Sequence, residues 1–338
     1  MAPFKTALVG FGKIAQGYAR DPVMAKLMQY TSHGQVLCDH PAFDFCAVVD
    51  SAPTALKQAQ SDYPEMTVAS SCAELNSRND IQVLVLATPP DNRLSDIKVF
   101  NNLQAVIVEK PLGIDLKSSQ DFLSYCQERN IKVQVNLLRR ADSLTSELAA
   151  GTLTEHIGKL QTGFGLYGNG IKNNGLHMVD LVRLLLGPIE QVTALPGLAF
   201  SEGPITGDIN LAFVLTLVSG QSIFFSPVKF SAFRENGLQL IGDSGKLDYL
   251  HGGLSILKTP VGPNRMVSGE MELVYDKPES IASTLGQAFY RMYDNLADNL
   301  DKGTPLCSSA QSALASTAIV EAILRSRDSG YSAQTIEP

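Results

Sequence analysis

Between residues 1 and 140, short and continuously apolar runs alternate with longer amphipathic or polar stretches. The apolar runs are "KTALVG" (5–10), "FDFCAVVD" (43–50), "IQVLVLA" (81–87), "QAVIVE" (104–109) and "IKVQVN" (131–136); segments such as "APTALKQAQSDY" and "DLKSSQDFLSYCQERN" lie between them. A strand with one wet face alternates polar and apolar residues, whereas these runs are apolar on both faces and must be covered on both. Strands of that kind joined by helices form an α/β, doubly wound parallel sheet. Its ligands bind outside the carboxyl ends of the strands.

The first run leads into "GFGKIA", where Gly10, Gly12 and Ala15 match G-x-G-x-x-A at the opening of a helix expected over Ile14 to Arg20. Gly10 serves the tight turn, Gly12 lets the backbone approach a pyrophosphate, and a small residue at 15 lets helix and strand pack closely. Glycine-rich turns are common, but one that follows a strand, opens a helix and heads a βαβ array reads as the dinucleotide loop of a Rossmann domain. The second strand ends at Asp50. A carboxylate there can accept both ribose hydroxyls of NAD and repel a 2′-phosphate; it can equally cap the helix over "SAPTALKQ". No Arg or Lys follows it directly, which favours NAD over NADP without excluding NADP. The usual offset from glycines to acid is about 20 residues. Here it is twice that, and the surplus "RDPVMAKLMQYTSHGQVLCDHPAF" reads as an insertion between the first helix and the second strand. His33 inside it reads as an ordinary loop histidine, with contact to cofactor or substrate as the alternative.

The run over 104–109 ends in Glu109, Lys110 and Pro111, at the carboxyl end of a strand and so at the cofactor crevice. Pro111 keeps Lys110 out of helical backbone angles, and an extended lysine there is well placed to meet a substrate hydroxyl. Glu109 either pairs with it or points to the opposite face. A solvated strand end explains this stretch equally well until a second constellation is added. "KNNGLHMVDLVRLLLG" (172–187) has an apolar stripe of Leu176, Val179, Val182 or Arg183, and Leu186, and Gly187-Pro188 stop the helix. His177 lies near its start, and Asp180, three residues on, can orient the imidazole.

In this combination and order the motifs resemble the glucose–fructose oxidoreductase / inositol dehydrogenase / MocA family (Gfo/Idh/MocA). The match also takes in "LVLATPP" (84–90), "VQVNLLRRAD", "LQLIGDSGKLDYL" (238–250) and the closing "SAQSALASTAIVEAILRS". The resemblance implies a Rossmann domain over 1–138. An α+β domain with a large open, mainly antiparallel sheet would follow over 139–338. Its last helix, with Ala310, Ala313, Leu314, Val320 and Leu324 as a stripe, would pack back near the first domain. It also implies NAD(P)-dependent chemistry at a CH–OH group of a sugar, sugar nucleotide or similar polyol, with Lys110 and His177 catalytic. Cofactor contacts then fall to Gly10, Gly12, Lys13, Ile14, Asp50, Thr88, Pro89, Glu109 and Lys110. Substrate contacts fall to Asn173 and Asn174, while Arg139 and Lys172, read from the residues themselves, either meet a phosphate or carboxylate of the substrate or form a solvated surface. Family members often pair their open sheets as homodimers or homotetramers, and "INLAFVLTLVSG" and "QSIFFSPVKF" are apolar enough to need such cover. One departure stands out. The family commonly carries an aspartate four residues before the histidine, where this chain has Asn173. An amide has no proton to exchange near neutral pH, so acid–base work falls to His177 or Lys110.

Composition narrows the partners. The chain has 27 Lys and Arg against 34 Asp and Glu, a formal charge of −7, and no basic cluster, so nucleic acid is not an expected partner. No run approaches the roughly 20 apolar residues of a membrane span. The five cysteines are scattered without a C-x-x-C pair, which points to a reducing cytoplasm. His33, His40, His156, His177 and His251 lack ligand spacing, so no metal site is expected. Two rival readings remain: a glycoside hydrolase that oxidises its substrate transiently with bound NAD, and a non-catalytic NAD- or sugar-binding sensor, which Asn173 favours.

Overall fold

The computed structural model describes residues 2–337. The chain forms two compact units, one running through Asp142 and resuming over Gly286–Leu314, the other over Ser143–Leu285 and from Ala315 onward. The first unit holds β1 (Phe4–Val9), β2 (Phe43–Val49), β3 (Thr67–Ala69), β4 (Val83–Leu86), β5 (Ala105–Val108) and β6 (Lys132–Val135). The helices include α1 (His33–Asp39), α2 (Pro53–Asp62), α3 (Arg93–Lys98) and α4 (Leu116–Glu128) in the first unit and α5 (Leu176–Leu186) in the second. They continue with α6 (Ala288–Lys302), back in the first, and α7 (Ala310–Asp328), which begins in the first and enters the second at Ala315.

The first sheet has the order β3-β2-β1-β4-β5-β6, parallel throughout. The strand order reverses between β1 and β4, which places the ligand crevice beyond their carboxyl ends. The apolar runs become strands because both faces are covered. Val9, Val49, Leu86, Val106 and Val108 pack with Phe100, Phe122 and Cys126; Leu8, Val48, Val85 and Ile107 pack with Val36, Leu37, Phe289, Met292 and Tyr293. Each such buried aliphatic side chain stabilises the fold by roughly 2 kcal/mol. The edge strand β3 has only three residues, too few to register as a period in the sequence.

The helix expected over Ile14 to Arg20 does not form as one piece. After Gln16 bonds to Gly12 in helical fashion, the amides of Gly17 and Tyr18 reach back five residues, to Gly12 and Lys13, and a 3-10 turn over Gly17–Arg20 follows. The helix resumes at α1, whose His33 and Gly34 amides donate to the carbonyls of Ile14 (3.1 Å) and Ala15 (2.8 Å). The inserted segment therefore interrupts the first helix after one turn instead of following it. Ser32 caps the resumed part. Gly34 has to lack a side chain, because a Cβ there would strike the Gln16 side chain and the Tyr63 hydroxyl.

The second unit holds β7 (Leu160–Tyr167), β8 (Ile189–Phe200), β9 (Asn210–Leu217), β10 (Ser222–Pro227), β11 (Gly237–Gly242), β12 (Gly245–Leu250), β13 (Ser255–Pro263), β14 (Met271–Leu273), β15 (Glu279–Ile281) and β16 (Gln334–Thr335). Their sheet runs β14-β13-β12-β11-β7-β10-β9-β8-β16, with β15 also on β13, and is antiparallel except for the β7–β10 pair. The inner face, including Tyr167, Phe213, Leu215, Phe225 and Leu240, packs with α5 and with Ile319, Val320 and Ile323 of α7. Gly163 and Gly165 share that face, where Ile223 and the Phe225 ring occupy the space a side chain would need. On the outer face Phe164, Leu166 and Phe224 are 46%, 39% and 40% exposed, and the two phenylalanines stack at 5.7 Å. Helix α5 is buried almost all round, not along one stripe, because Met178, Asp180 and Leu181 join Leu176, Val179 and Val182. Among the described residues no helix is long and apolar enough to cross a membrane.

Candidate active site

At the carboxyl end of β1, Gly10 turns with φ +90° and donates its amide to Val49 at 2.7 Å. A Cβ there would lie 2.8 Å from the Ala87 carbonyl oxygen and 2.9 Å from Thr88 Cγ2, so the loop is pinned against the end of β4. Gly12 is the opposite case: a Cβ on it would meet no atom within 4 Å. The amides of Gly12, Lys13 and Ile14 donate to no acceptor among the described residues. Consecutive unpaired amides on an open glycine loop make an anion cradle.

Asp50, just past β2, is tied by both carboxylate oxygens to the turns beside it, and the next helix starts from Ala52 without a side-chain cap. Oδ2 accepts from the Phe11 amide at 2.7 Å and Oδ1 from Ala52 at 2.8 Å. Each oxygen keeps a lone pair for a ribose hydroxyl. Thr88 Oγ1 is buried with no hydrogen-bond partner among the described residues, the kind of vacancy a polar ligand satisfies. Pro89 follows it at the same edge.

The neighbouring strand end carries Glu109 and Lys110, the latter half-buried and joined to Pro111 by a cis peptide. Glu109 Oε1 lies 3.0 Å from His33 Nε2 and accepts from Asn136 Nδ2. Burial by itself would raise this carboxyl. The hydrogen bonds from His33 and Asn136, with the charges of His33 and Lys110, outweigh it and hold the group below the usual carboxylate range. Arg93, the first residue of α3, is buried and donates to the carbonyls of Thr88, Glu109, Pro111 and Leu112. Burial pushes its guanidinium down to about 10, against the charges of Glu109, Asp91 and Asp96. One side chain thus ties the ends of β4 and β5 together. In the sequence Arg93 looks like a solvated helix start, and nothing local marks it out. Arg139 is half-buried on the 3-10 turn Leu138–Ala141 that follows β6.

The second unit gathers the other candidates on one continuous piece of backbone. Lys172, Asn173 and Asn174 lie on a π-helical turn, Ile171–Gly175, that runs directly into α5, where His177 is the second residue. The turn is anchored by buried Asp208, which accepts the amides of Lys172 and Asn173 at 3.1 Å each. Burial raises the Asp208 carboxyl, and those amides oppose the shift. Gly170, with φ +95°, has to be glycine because a Cβ would strike Asp208. Asn173 Nδ2 donates to the Asn169 carbonyl at 3.0 Å, and Asn174 Nδ2 is buried without a partner among the described residues. His177 is half-buried and Lys172 exposed. Asp180 accepts from Ser316 at 2.9 Å and lies 3.6 Å from Arg183. Asp208 was missed from sequence because it lies 35 residues beyond Asn173. Among the described residues no cluster of His, Cys, Asp and Glu is arranged to hold a metal ion.

The model of the NAD-binding Rossmann fold of the Gfo/Idh/MocA oxidoreductase family matches residues 4–137, and that of its C-terminal alpha/beta domain matches residues 163–335. The chain belongs to this family. No curated protein sequence matches it. Among solved structures it is similar to an oxidoreductase from Agrobacterium radiobacter in complex with NAD+, L-tartaric acid and magnesium (17% identity, 98% of each chain covered, TM-score 0.72). It is similar as well to the WlbA dehydrogenase from Bordetella pertussis in complex with NADH and UDP-GlcNAcA (18% identity, 99% of each chain, TM-score 0.72). A third is the super-repressor mutant of Gal80p from Saccharomyces cerevisiae (14% identity, 99% of this chain and 98% of that one, TM-score 0.73). As in other Gfo/Idh/MocA chains, the first unit is an NAD-binding Rossmann fold. Its residues fit a dinucleotide: the space over Gly12, the unpaired amides beside it and the orphaned Thr88 hydroxyl all lie along one sheet edge.

Proposed function

We propose that this chain is an NAD(P)-dependent dehydrogenase or reductase that moves a hydride between nicotinamide and a secondary alcohol of a sugar, sugar nucleotide or similar polyol. The observation that carries the reading is the anion cradle at Gly12–Ile14 on the same sheet edge as Glu109 and Lys110. Asp50 favours NAD, because a third negative group beside its carboxylate would be repelled. The bound nicotinamide supplies the hydride chemistry. His177 exchanges the hydroxyl proton, the general acid–base role that a positioned imidazole most often fills. Lys110 stabilises negative charge developing on a substrate oxygen. Asn173 and Asn174 position hydroxyls, while Arg139 and Lys172 meet a carboxylate or phosphate of the substrate. The similarity to structures holding L-tartaric acid and UDP-GlcNAcA supports a hydroxyl-rich, anionic substrate. The apolar outer sheet face of Phe164, Leu166 and Phe224 supports pairing with a second copy into a homodimer or homotetramer.

One observation favours a second reading. Asn173 removes the usual acid, and a chain of the same fold is the super-repressor mutant of Gal80p, so a binding protein without turnover is the alternative. Mass spectrometry of ligands retained on purification, with NADH formation against a panel of sugars and sugar nucleotides, separates the two. Lys110→Ala and His177→Ala are each expected to lower kcat by about 100-fold or more. Near wild-type turnover in both would reject the assignment.

A further inference from the structure

His33 has no exposed surface, yet both ring nitrogens are partnered: Nδ1 lies 2.7 Å from the Tyr293 hydroxyl and Nε2 lies 3.0 Å from Glu109 Oε1. The ring packs edge-on against Phe289, with centroids 4.9 Å apart. Burial raises the Tyr293 phenol well above its ordinary value, so it stays protonated. That hydroxyl pairs with Nδ1, and Nε2 donates to the Glu109 carboxylate, which has no proton to give. The three side chains thus form one line of hydrogen bonds that ends on the carboxylate. With Asn136 as second donor, Oε1 carries two hydrogen bonds, whereas no described residue donates to Oε2. The Glu109 side chain keeps 13% exposure. The interrupted first helix explains how His33 gets there. Because α1 docks end-on against the carbonyls of Ile14 and Ala15, its first residue stands behind the glycine loop and reaches β5.

We infer that His33 is a positioning residue for the cofactor site: backed by Tyr293, it commits one oxygen of Glu109 and leaves the other, one residue from Lys110, directed at the bound dinucleotide. This rests on the cofactor reading proposed above. The groups that face Glu109 are His33 from α1, Tyr293 behind it on α6, Lys110 on its own strand, Asn136 past β6, and Arg93 of α3, which holds the Glu109 carbonyl. Removing the His33 donor while burial persists moves the Glu109 titration upward in pH.

The test compares wild type with His33→Phe, His33→Gln and Tyr293→Phe, measuring NADH affinity by fluorescence titration and the Glu109 carboxyl by carbon-13 NMR against pH. In His33→Phe, NADH binding is expected to weaken about tenfold and the Glu109 midpoint to rise. His33→Gln, whose amide nitrogen can stand where Nε2 stood, is expected to restore both. Tyr293→Phe, which keeps the ring and loses only the Nδ1 partner, is expected to weaken NADH binding about threefold. Should His33→Phe not fold, the last two variants decide the matter. Wild-type affinity in Tyr293→Phe, or NADH binding by His33→Phe as tight as wild type, overturns the positioning role. Equal loss in His33→Gln and His33→Phe overturns it too, since the ring would then only fill space. A wild-type chain that binds no NADH refutes the cofactor reading itself.

Discussion

Two alanine substitutions two residues apart should fail in opposite ways, and the contrast tests the dinucleotide loop directly. At Gly10 the backbone has φ +90°, where an L side chain is strained, and the new methyl would stand 2.8 Å from the Ala87 oxygen. That is well inside the ~3.5 Å of comfortable non-bonded contact. The dihedral strain costs roughly 1–3 kcal/mol, and pushing the end of β4 aside adds about 1–3 kcal/mol. A total of about 4 kcal/mol, at ~2–4 °C per kcal/mol for a unit of this size, lowers the melting temperature by about 8–16 °C. At Gly12 the methyl meets nothing within 4 Å and the backbone lies outside the left-handed region. Stability should stay within about 1 kcal/mol of wild type, and any change should be favourable, because alanine restricts the unfolded chain. That methyl occupies the place proposed for the pyrophosphate, so NADH affinity should fall about tenfold or more. Thermal unfolding by circular dichroism and NADH fluorescence titration measure the two effects separately. A Gly12→Ala protein that binds NADH like wild type would refute the cradle. One that melts as early as Gly10→Ala would refute the steric reasoning.

Two further outcomes follow from the geometry. Asp50→Ser removes the carboxylate that holds the Phe11 and Ala52 amides; it should weaken NADH binding about tenfold and narrow the preference for NADH over NADPH, as titration with both cofactors would reveal. Phe164→Glu combined with Phe224→Glu puts charge on the apolar outer sheet face and should convert a dimer or tetramer to protomers in analytical ultracentrifugation, with little change in far-ultraviolet circular dichroism. Sedimentation of the wild-type chain as a protomer would count against sheet pairing.

The parallel sheet was legible because β1, β2, β4, β5 and β6 are short apolar runs whose both faces are buried, and that demand is written locally in Leu8, Val48, Val85 and Ile107. Gly10 was legible for a related reason: a strained turn has a local signature. The second-unit helix was placed correctly from its stop at Gly187-Pro188, while the π-helical turn before it was not anticipated, because Asp208 imposes it from a distant loop. The first helix was misread for the same kind of reason. Its continuation is supplied by His33 and Gly34, far along the chain, so no window of sequence around Ile14 contains its hydrogen-bond partners.

From the chain alone, then, came the covered parallel sheet, the glycine loop at its head, and the kinship carried by "EKP" and "GLHMVD", because burial period and turn chemistry depend on neighbouring residues. The folded structure alone decided that Arg93 ties two strand ends, that Asp208 anchors the Asn173 turn, and that His33 meets Glu109 across 76 residues. Those are hydrogen bonds between groups that only packing brings together. A polar side chain satisfied in that way looks, residue by residue, the same as one left in water.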